Sequence, residues 1–164
     1  MIGVGNQWRG DDAVGLEVAQ RLTAAGLPAD VDIRTHEGEG TGVLALWGDA
    51  DAVVIVDCVR SGGRPGTIHR LDAGVAVPGR SLSDGSTHAI GVLAAIELGR
   101  TLGRLPPRLI VYGIEGITFD AGSGLSDQVR LAADGLVARV RSEALALACT
   151  LDVDQARPSG LDPW

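Results

Sequence analysis

The sequence predicts an α/β protein, a three-layer α/β/α sandwich around a mostly parallel twisted sheet. Three observations predict it. Ala52-Val53-Val54-Ile55-Val56 is a continuous, largely β-branched run, as expected of a strand buried on both faces of a parallel sheet. Helical and extended patterns alternate along the chain in the order turn–α–β–α–β–β–α–β–α, which places helices on both sides of one sheet. Apolar residues make up 45% of the 164 positions but aromatics only 3%, so the core is built from Val, Leu, Ile and Ala.

Each element has its own signal. Val14, Val18 and Leu22 recur at helical spacing with Ala25 continuing the face, and Gly26 and Pro28 stop that helix. Val31, Ile33 and Thr35 alternate, which predicts a strand over 31–36 near an edge of the sheet. His36 to Gly40 is a polar loop carrying Glu37 and Glu39. A short helix over 41–47 turns Val43, Leu44 and Trp47 to the core. The buried strand over 52–56 ends in Asp57-Cys58. Gly62 to Gly66 is a turn, and 67–71 is a further strand. After a Gly- and Ser-bearing loop, a helix over 87–102 presents Ile90, Leu93, Ala94 and Leu98 on one face. Pro106-Pro107 break the chain, and the strand over 109–112 runs into Gly113-Ile114-Glu115-Gly116. A long helix over 126–147 follows. The expected organisation is one domain over 1–150 and a loose tail over 151–164, which carries Pro158, Gly160 and Pro163. There is no internal repeat and no domain linker.

Charge and cysteine content narrow the function classes. The formal net charge of −7 argues against nucleic acid or an anionic membrane as partner. Cys58 and Cys149 are far apart and form no C-x-x-C, so a disulfide framework is not expected and a reducing cytoplasm fits. No signal peptide is expected before the first motif, and no run of about 18 apolar residues suggests a membrane span.

The richest stretch is Gly3-Val4-Gly5-Asn6-Gln7-Trp8-Arg9-Gly10-Asp11-Asp12-Ala13-Val14-Gly15. Its glycines permit tight turns and close backbone approach. Their spacing is not that of a dinucleotide fingerprint, and no Lys-Ser/Thr pair makes a P-loop. Asp11 and Asp12 stand where a helix starts, so capping explains one of them without any chemistry. In a parallel sheet the ligand site lies beyond the carboxyl ends of the strands. That rule collects Asp57, Glu37, Glu39, Glu115 and the Asp11-Asp12 pair, with His88 at the start of a helix. Asp12, Asp57 and His88 make a set of two oxygens and one nitrogen suited to nickel, zinc or iron, with coordination positions left open. The plainer alternatives stay open: Asp57 bonding a nearby turn, and His88 as a helix-start residue. Cys58 beside Asp57 invites a nucleophile reading but has no paired base in sequence. Ser81, Ser83 and Ser86 do not form a G-x-S-x-G elbow.

The N-terminal stretch resembles the signature of the hydrogenase maturation endopeptidases, G-x-G-N-x-x-x-x-D-[DE]-x-x-G. The similarity continues in order with Glu39-Gly40-Thr41, Val54-Ile55-Val56-Asp57 before Gly62-Gly63, Ser86-Thr87-His88, and Gly113-Ile114-Glu115. The resemblance implies a phosphorylase/hydrolase-like α/β/α fold. It implies an endopeptidase that removes the C-terminal extension of a nickel-loaded [NiFe]-hydrogenase large-subunit precursor. It also implies metal ligands and catalytic residues at Asp12, Asp57 and His88, with the nickel supplied by the substrate and no organic cofactor. Gly5, Asn6 and Glu115 are weaker substrate-binding candidates, and a monomer is the family's habit. Two departures stand out. Only Met1 and Ile2 precede Gly3, so the first strand is expected to be truncated, leaving poor stability or a compensating arrangement. Gly116 stands where a Pro often follows G-I-E, and a looser turn is expected there. The competing readings are a non-catalytic, metal-dependent binding or chaperone module for the large subunit, a peptidyl-tRNA-hydrolase-like hydrolase, and a nucleotide-binding domain.

Overall fold

A computed structural model describes residues 1–37, 41–74 and 89–155. Strand β1 (Ile2–Gly5) leads through a 3-10 turn (Gly10–Ala13) into helix α1 (Val14–Ala25). Then come β2 (Arg34–Glu37), α2 (Thr41–Trp47), β3 (Ala52–Val59) and β4 (Ile68–Asp72). Helix α3 (Ala89–Thr101), β5 (Arg108–Glu115) and α4 (Asp127–Gln155) complete the order. The sheet runs β2-β1-β3-β5-β4. All neighbours are parallel except β4, which lies antiparallel to β5 at one edge. The sheet is therefore mostly parallel, as expected.

Alternation along the strands divides the core in two. Val54, Val56 and Cys58 of β3 and Ile110, Tyr112 and Ile114 of β5 pack against α1 and α4. Val53 and Ile55 with Leu109 and Val111 face α2 and α3 on the other side, joined by Ile2 and Val4 of β1. This gives the three layers. Helix α4 buries Val129, Ala133, Leu136, Val140 and Ala144 at helical spacing. It is also pinned by polar groups: the Tyr112 hydroxyl donates to Glu143 at 2.6 Å, and Arg70 of β4 donates two bonds to the same carboxylate at 3.0 and 2.8 Å.

The structure shifts several expected boundaries. Val31 N–H closes a turn onto the Pro28 carbonyl, so β2 begins only at Arg34. β3 continues to Val59, which puts Asp57 and Cys58 inside the strand, paired in register with Gly113 and Ile114. Helix α4 runs on to Gln155, past the expected end near 147. In α3 the buried face is Val92, Ala95, Ile96 and Gly99, while Leu98 is exposed. The sequence could not choose this face, because the helix is apolar nearly all round. The choice is made by Gly99, whose bare Cα admits the side chains of Trp47 and Leu44 from α2.

β1 is four residues long, wholly buried and second from the edge. It pairs with all of β2 but meets β3 only at Ile2–Ile55 and Gly3–Val56. The Met1 amine donates to the Asp32 carbonyl at 2.7 Å, and Arg34 N–H donates to the Met1 carbonyl at 2.9 Å. A cavity of about 370 Å³ lies at this end, between Met1, Ile2, Arg34, Trp47 and Ala52. Its position, at the amino end of the strands, is opposite the expected site.

Helix α1 rests directly on β1, because Gly3 and Gly15 face one another. A Cβ on Gly15 would collide with the carbonyl oxygens of both Val4 and Val56. In an ordinary helix Gly→Ala stabilises; here Gly15→Ala is expected to lower stability by about 1–3 kcal/mol through overpacking. Urea unfolding monitored by circular dichroism checks the sign.

Candidate active site

The N-terminal loop is built to hold Asp11 and Asp12 in fixed positions. Gly5 has φ +151°, and a Cβ there would strike the Asp12 carbonyl. Asn6 Oδ1 accepts from Trp8 N–H at 2.9 Å, an Asx turn, and the Asn6 carbonyl accepts from Arg9 N–H at 3.1 Å. Asn6 N–H donates to the Asp12 carbonyl at 3.2 Å. These groups of Asn6 therefore shape the loop. They are already engaged, which leaves the Asn6 Nδ2 as its donor toward a substrate among the described contacts.

The two aspartates have separate jobs. Neither makes the side-chain cap expected for the helix that follows. Asp11 is fully buried and reaches across the molecule instead. It accepts from Ile117 N–H and Thr118 N–H at 2.9 Å each, from Ser126 N–H at 2.7 Å, and from the Ser126 hydroxyl at 3.0 Å. Its own N–H donates to the Thr118 carbonyl at 2.7 Å. Asp11 thus ties the first loop to the chain between β5 and α4. Nothing in the sequence signals this long-range partner, since Ser126 is more than a hundred positions away.

Asp12 sits beside Asp57. Both are buried, at 7% and 6% exposed, where the chain leaves β1 and near the carboxyl end of β3. Asp57 Oδ1 accepts the N–H of Cys58 at 2.8 Å. Burial pushes the Asp57 carboxyl up to about 8, against the pull of the Cys58 bond and with a further push from the negative charge of Asp12. By alternation Asp57 stands on the face of the sheet that α3 covers. His88, which immediately precedes α3, lies outside the described residues, as does Glu39. Among the described residues no group of three His, Cys, Asp or Glu side chains forms a metal site. The donor chemistry of the two aspartates still fits a divalent cation: two hard oxygen ligands set side by side, whose joint ionisation a cation would favour.

The other candidates take structural places. Glu115 is 1% exposed and accepts from the N–H groups of Ser61, Gly62 and Gly63 at 2.7, 2.9 and 3.1 Å, and from the Ser61 hydroxyl at 2.8 Å. Burial raises its pKa, but these bonds outweigh it and hold the carboxyl below its ordinary value. Glu115 anchors the loop between β3 and β4, a role the sequence does not reveal. Cys58 points into the α1/α4 core on the opposite side of the sheet from Asp57, and burial with the nearby acids pushes its thiol up. A thiol so raised is a poor nucleophile at neutral pH. Gly116 corrects the expectation of a loose turn. Its N–H donates to the Val59 carbonyl at 2.9 Å, and a Cβ there would meet Cys58 Sγ, the Phe119 ring and Asp11. The turn is closely packed, and a Pro would forfeit that bond.

Residues 20–143 match the family model described as hydrogenase maturation protease, HycI. The chain belongs to the hydrogenase maturation protease family. The match takes in Asp57 and His88 and begins after Asp12. A Methanocaldococcus jannaschii protein assigned as a hydrogenase maturation protease is 26% identical over 148 residues, covering 87% of this chain and 94% of its own length. The hydrogenase maturating endopeptidase HybD of Escherichia coli superposes with a TM-score of 0.69 at 23% identity, over 85% of this chain and 86% of that one. The solution structure of an Escherichia coli endopeptidase gives 0.71 at 22% identity, over 90% and 91%. These two structures share the fold. The protease is a hydrolase, an endopeptidase of hydrogenase maturation. Membership in this family displaces the peptidyl-tRNA-hydrolase-like reading. Among its described residues no helix is long and apolar enough to cross a membrane.

Two outcomes test this geometry. Asp11→Ala strands three partly buried N–H groups and is expected to cost about 1–3 kcal/mol in urea unfolding. The Asp57 carboxyl, ordinarily near 3.8, holds its proton up to about 8 in the folded chain, so folding takes up a proton over that interval. Its contribution to stability is complete below the lower value and is lost as pH rises through the upper one. Asp57→Asn, uncharged throughout, should lack that decline, read as urea midpoints across the same pH range.

Proposed function

We propose that this endopeptidase removes the C-terminal extension of a nickel-loaded [NiFe]-hydrogenase large-subunit precursor in the cytoplasm, acting as a monomer. Asp12, Asp57 and His88 meet the precursor's own nickel, which is part of the substrate and not a resident cofactor. The observation that carries this reading is the buried Asp12–Asp57 pair, in which burial and the neighbouring carboxylate push Asp57 upward. Two ionised carboxylates buried together would repel, so Asp57 keeps its proton until a divalent cation between protein and substrate offsets the second negative charge. Asp57 then gives up its proton as the metal arrives, so binding of the loaded precursor releases a proton. A bound nickel supplies Lewis-acid polarisation of the scissile carbonyl or of a water. The chain's own part is to place two carboxylates and an imidazole, and to keep the acids poised in a site with little exposure until a metal-bearing substrate enters. The Asn6 amide, on the same loop, donates to a peptide carbonyl of the substrate.

The test is incubation with nickel-loaded and nickel-free precursor, read by intact mass. Loss of a C-terminal peptide from the loaded precursor alone supports the reading. Asp12→Asn, Asp57→Asn and His88→Ala are each expected to abolish processing in a folded chain. Full processing by any one removes that residue from the site. Binding of the loaded precursor without cleavage would make the protein an inspection module instead.

A further inference from the structure

The mechanism leaves one feature of the rim unused. Trp8 is 67% exposed and Ile117 58% exposed, and they are the large apolar side chains exposed on loops among the described residues. The other four, Leu98, Leu102, Leu131 and Leu145, lie on or beside helices. Trp8 and Ile117 belong to the two loops that Asp11 joins, since Gly122 N–H donates to the Trp8 carbonyl at 2.8 Å and Ile117 N–H donates to Asp11. Trp8 and Arg9 precede Asp12 by only a few residues. Their backbones are fixed: Trp8 N–H, Arg9 N–H and both carbonyls are engaged within the loop or with Gly122. Their side chains make no hydrogen bond or ion pair among the described residues.

The local charge is also unlike the rest of the molecule. The chain carries −7 overall, yet the exposed charged groups on these two loops and on the loop between β3 and β4, whose Arg60 lies over Phe119, are Arg9, Arg60 and Arg64 against Asp120. None of the three arginines forms an ion pair among the described residues, whereas Arg21, Arg34, Arg70 and Arg130 do. The Arg60 guanidinium lies 5.3 Å from the centroid of Phe119, a ring that packs against Gly116. A rigid loop that holds a bare Trp and a bare Arg to solvent at the edge of a catalytic site has the composition of an interface hot spot. Its backbone is already ordered, so little is lost when a partner docks.

We propose that Trp8, Arg9, Arg60 and Ile117 form the docking surface for an acidic, apolar peptide segment of the precursor next to the scissile bond. This rests on reading the chain as the endopeptidase of that precursor. Trp8 and Ile117 take the apolar side chain, and the arginines take carboxylates, which guanidinium forks match well. The surface sets affinity and substrate choice, while the aspartates do the chemistry.

The experiment measures the affinity of full-length nickel-loaded precursor by calorimetry, and separately kcat and KM for its cleavage. Trp8→Ala is expected to weaken binding about tenfold or more, the effect of truncating a hot-spot side chain. Arg9→Glu should weaken it comparably at low salt and less at high salt, because the contact is electrostatic. In both variants KM should rise with kcat changed by no more than about twofold. Leu131→Ala, exposed on α4, is the control and should match wild type. Unchanged affinity for Trp8→Ala in a cleaving enzyme overturns the docking surface and leaves the protease reading intact. Tighter or unchanged binding by Arg9→Glu overturns the acidic partner. A wild-type protein that binds the precursor without cutting it refutes the protease reading, while weaker binding by both variants still upholds the surface. A wild type that neither binds nor cuts overturns both.

Discussion

The carboxylate of Asp11 accepts four hydrogen bonds from groups on the far side of the chain, and the seating of the loop that carries Asp12 depends on them. Ile117, Thr118 and Ser126 supply the donors. A buried charge is tolerated only when its lone pairs are filled, and here backbone N–H groups fill them. In return the loop after β1 is locked to the loop after β5. Asp12, one residue on, is thereby fixed near the carboxyl end of β3, and the first turn of α1 is seated over the sheet. The adjacent acids in the motif are one anchor and one carboxyl set beside Asp57.

A second acid repeats the device. Glu115 fills its lone pairs with three N–H groups and the Ser61 hydroxyl, and so organises the loop between β3 and β4. Two fully satisfied carboxylates, Asp11 and Glu115, therefore brace the loops around Asp12 and Asp57. Asp57 is treated differently. It receives one N–H, lies buried and faces another acid, which is why its carboxyl is pushed upward while Glu115 is held low. Environment, not residue type, separates the bracing acids from the poised one.

Glycine makes this arrangement possible through its missing Cβ. At Gly15 the helix backbone lies against the carbonyls of two strands, and at Gly116 the chain passes between Cys58, Phe119 and Asp11. The compact packing at Gly116 explains why a departure from a family pattern does not loosen the turn. The space a proline ring would occupy is filled by Phe119, over which Arg60 lies.

Much of the fold was legible in the sequence. The run of β-branched residues from Val53 to Val56 marked the central strand, and the spacing of Val14, Val18 and Leu22 marked α1, because local periodicity reports burial directly. The family motifs singled out Asp12 and Asp57, since side chains at the carboxyl ends of parallel strands meet at one rim. The buried face of α3 was not legible, because an all-round apolar helix has no preferred side until Gly99 meets Trp47 and Leu44. Nor was the division of labour between Asp11 and Asp12, or the anchoring role of Glu115. The sequence by itself determined the class of fold, the family and the residue types at the rim, all of which follow from short-range pattern. Only the tertiary structure decided which carboxylate is an anchor and which is poised, because hydrogen-bond partners and desolvation come from residues distant in the chain.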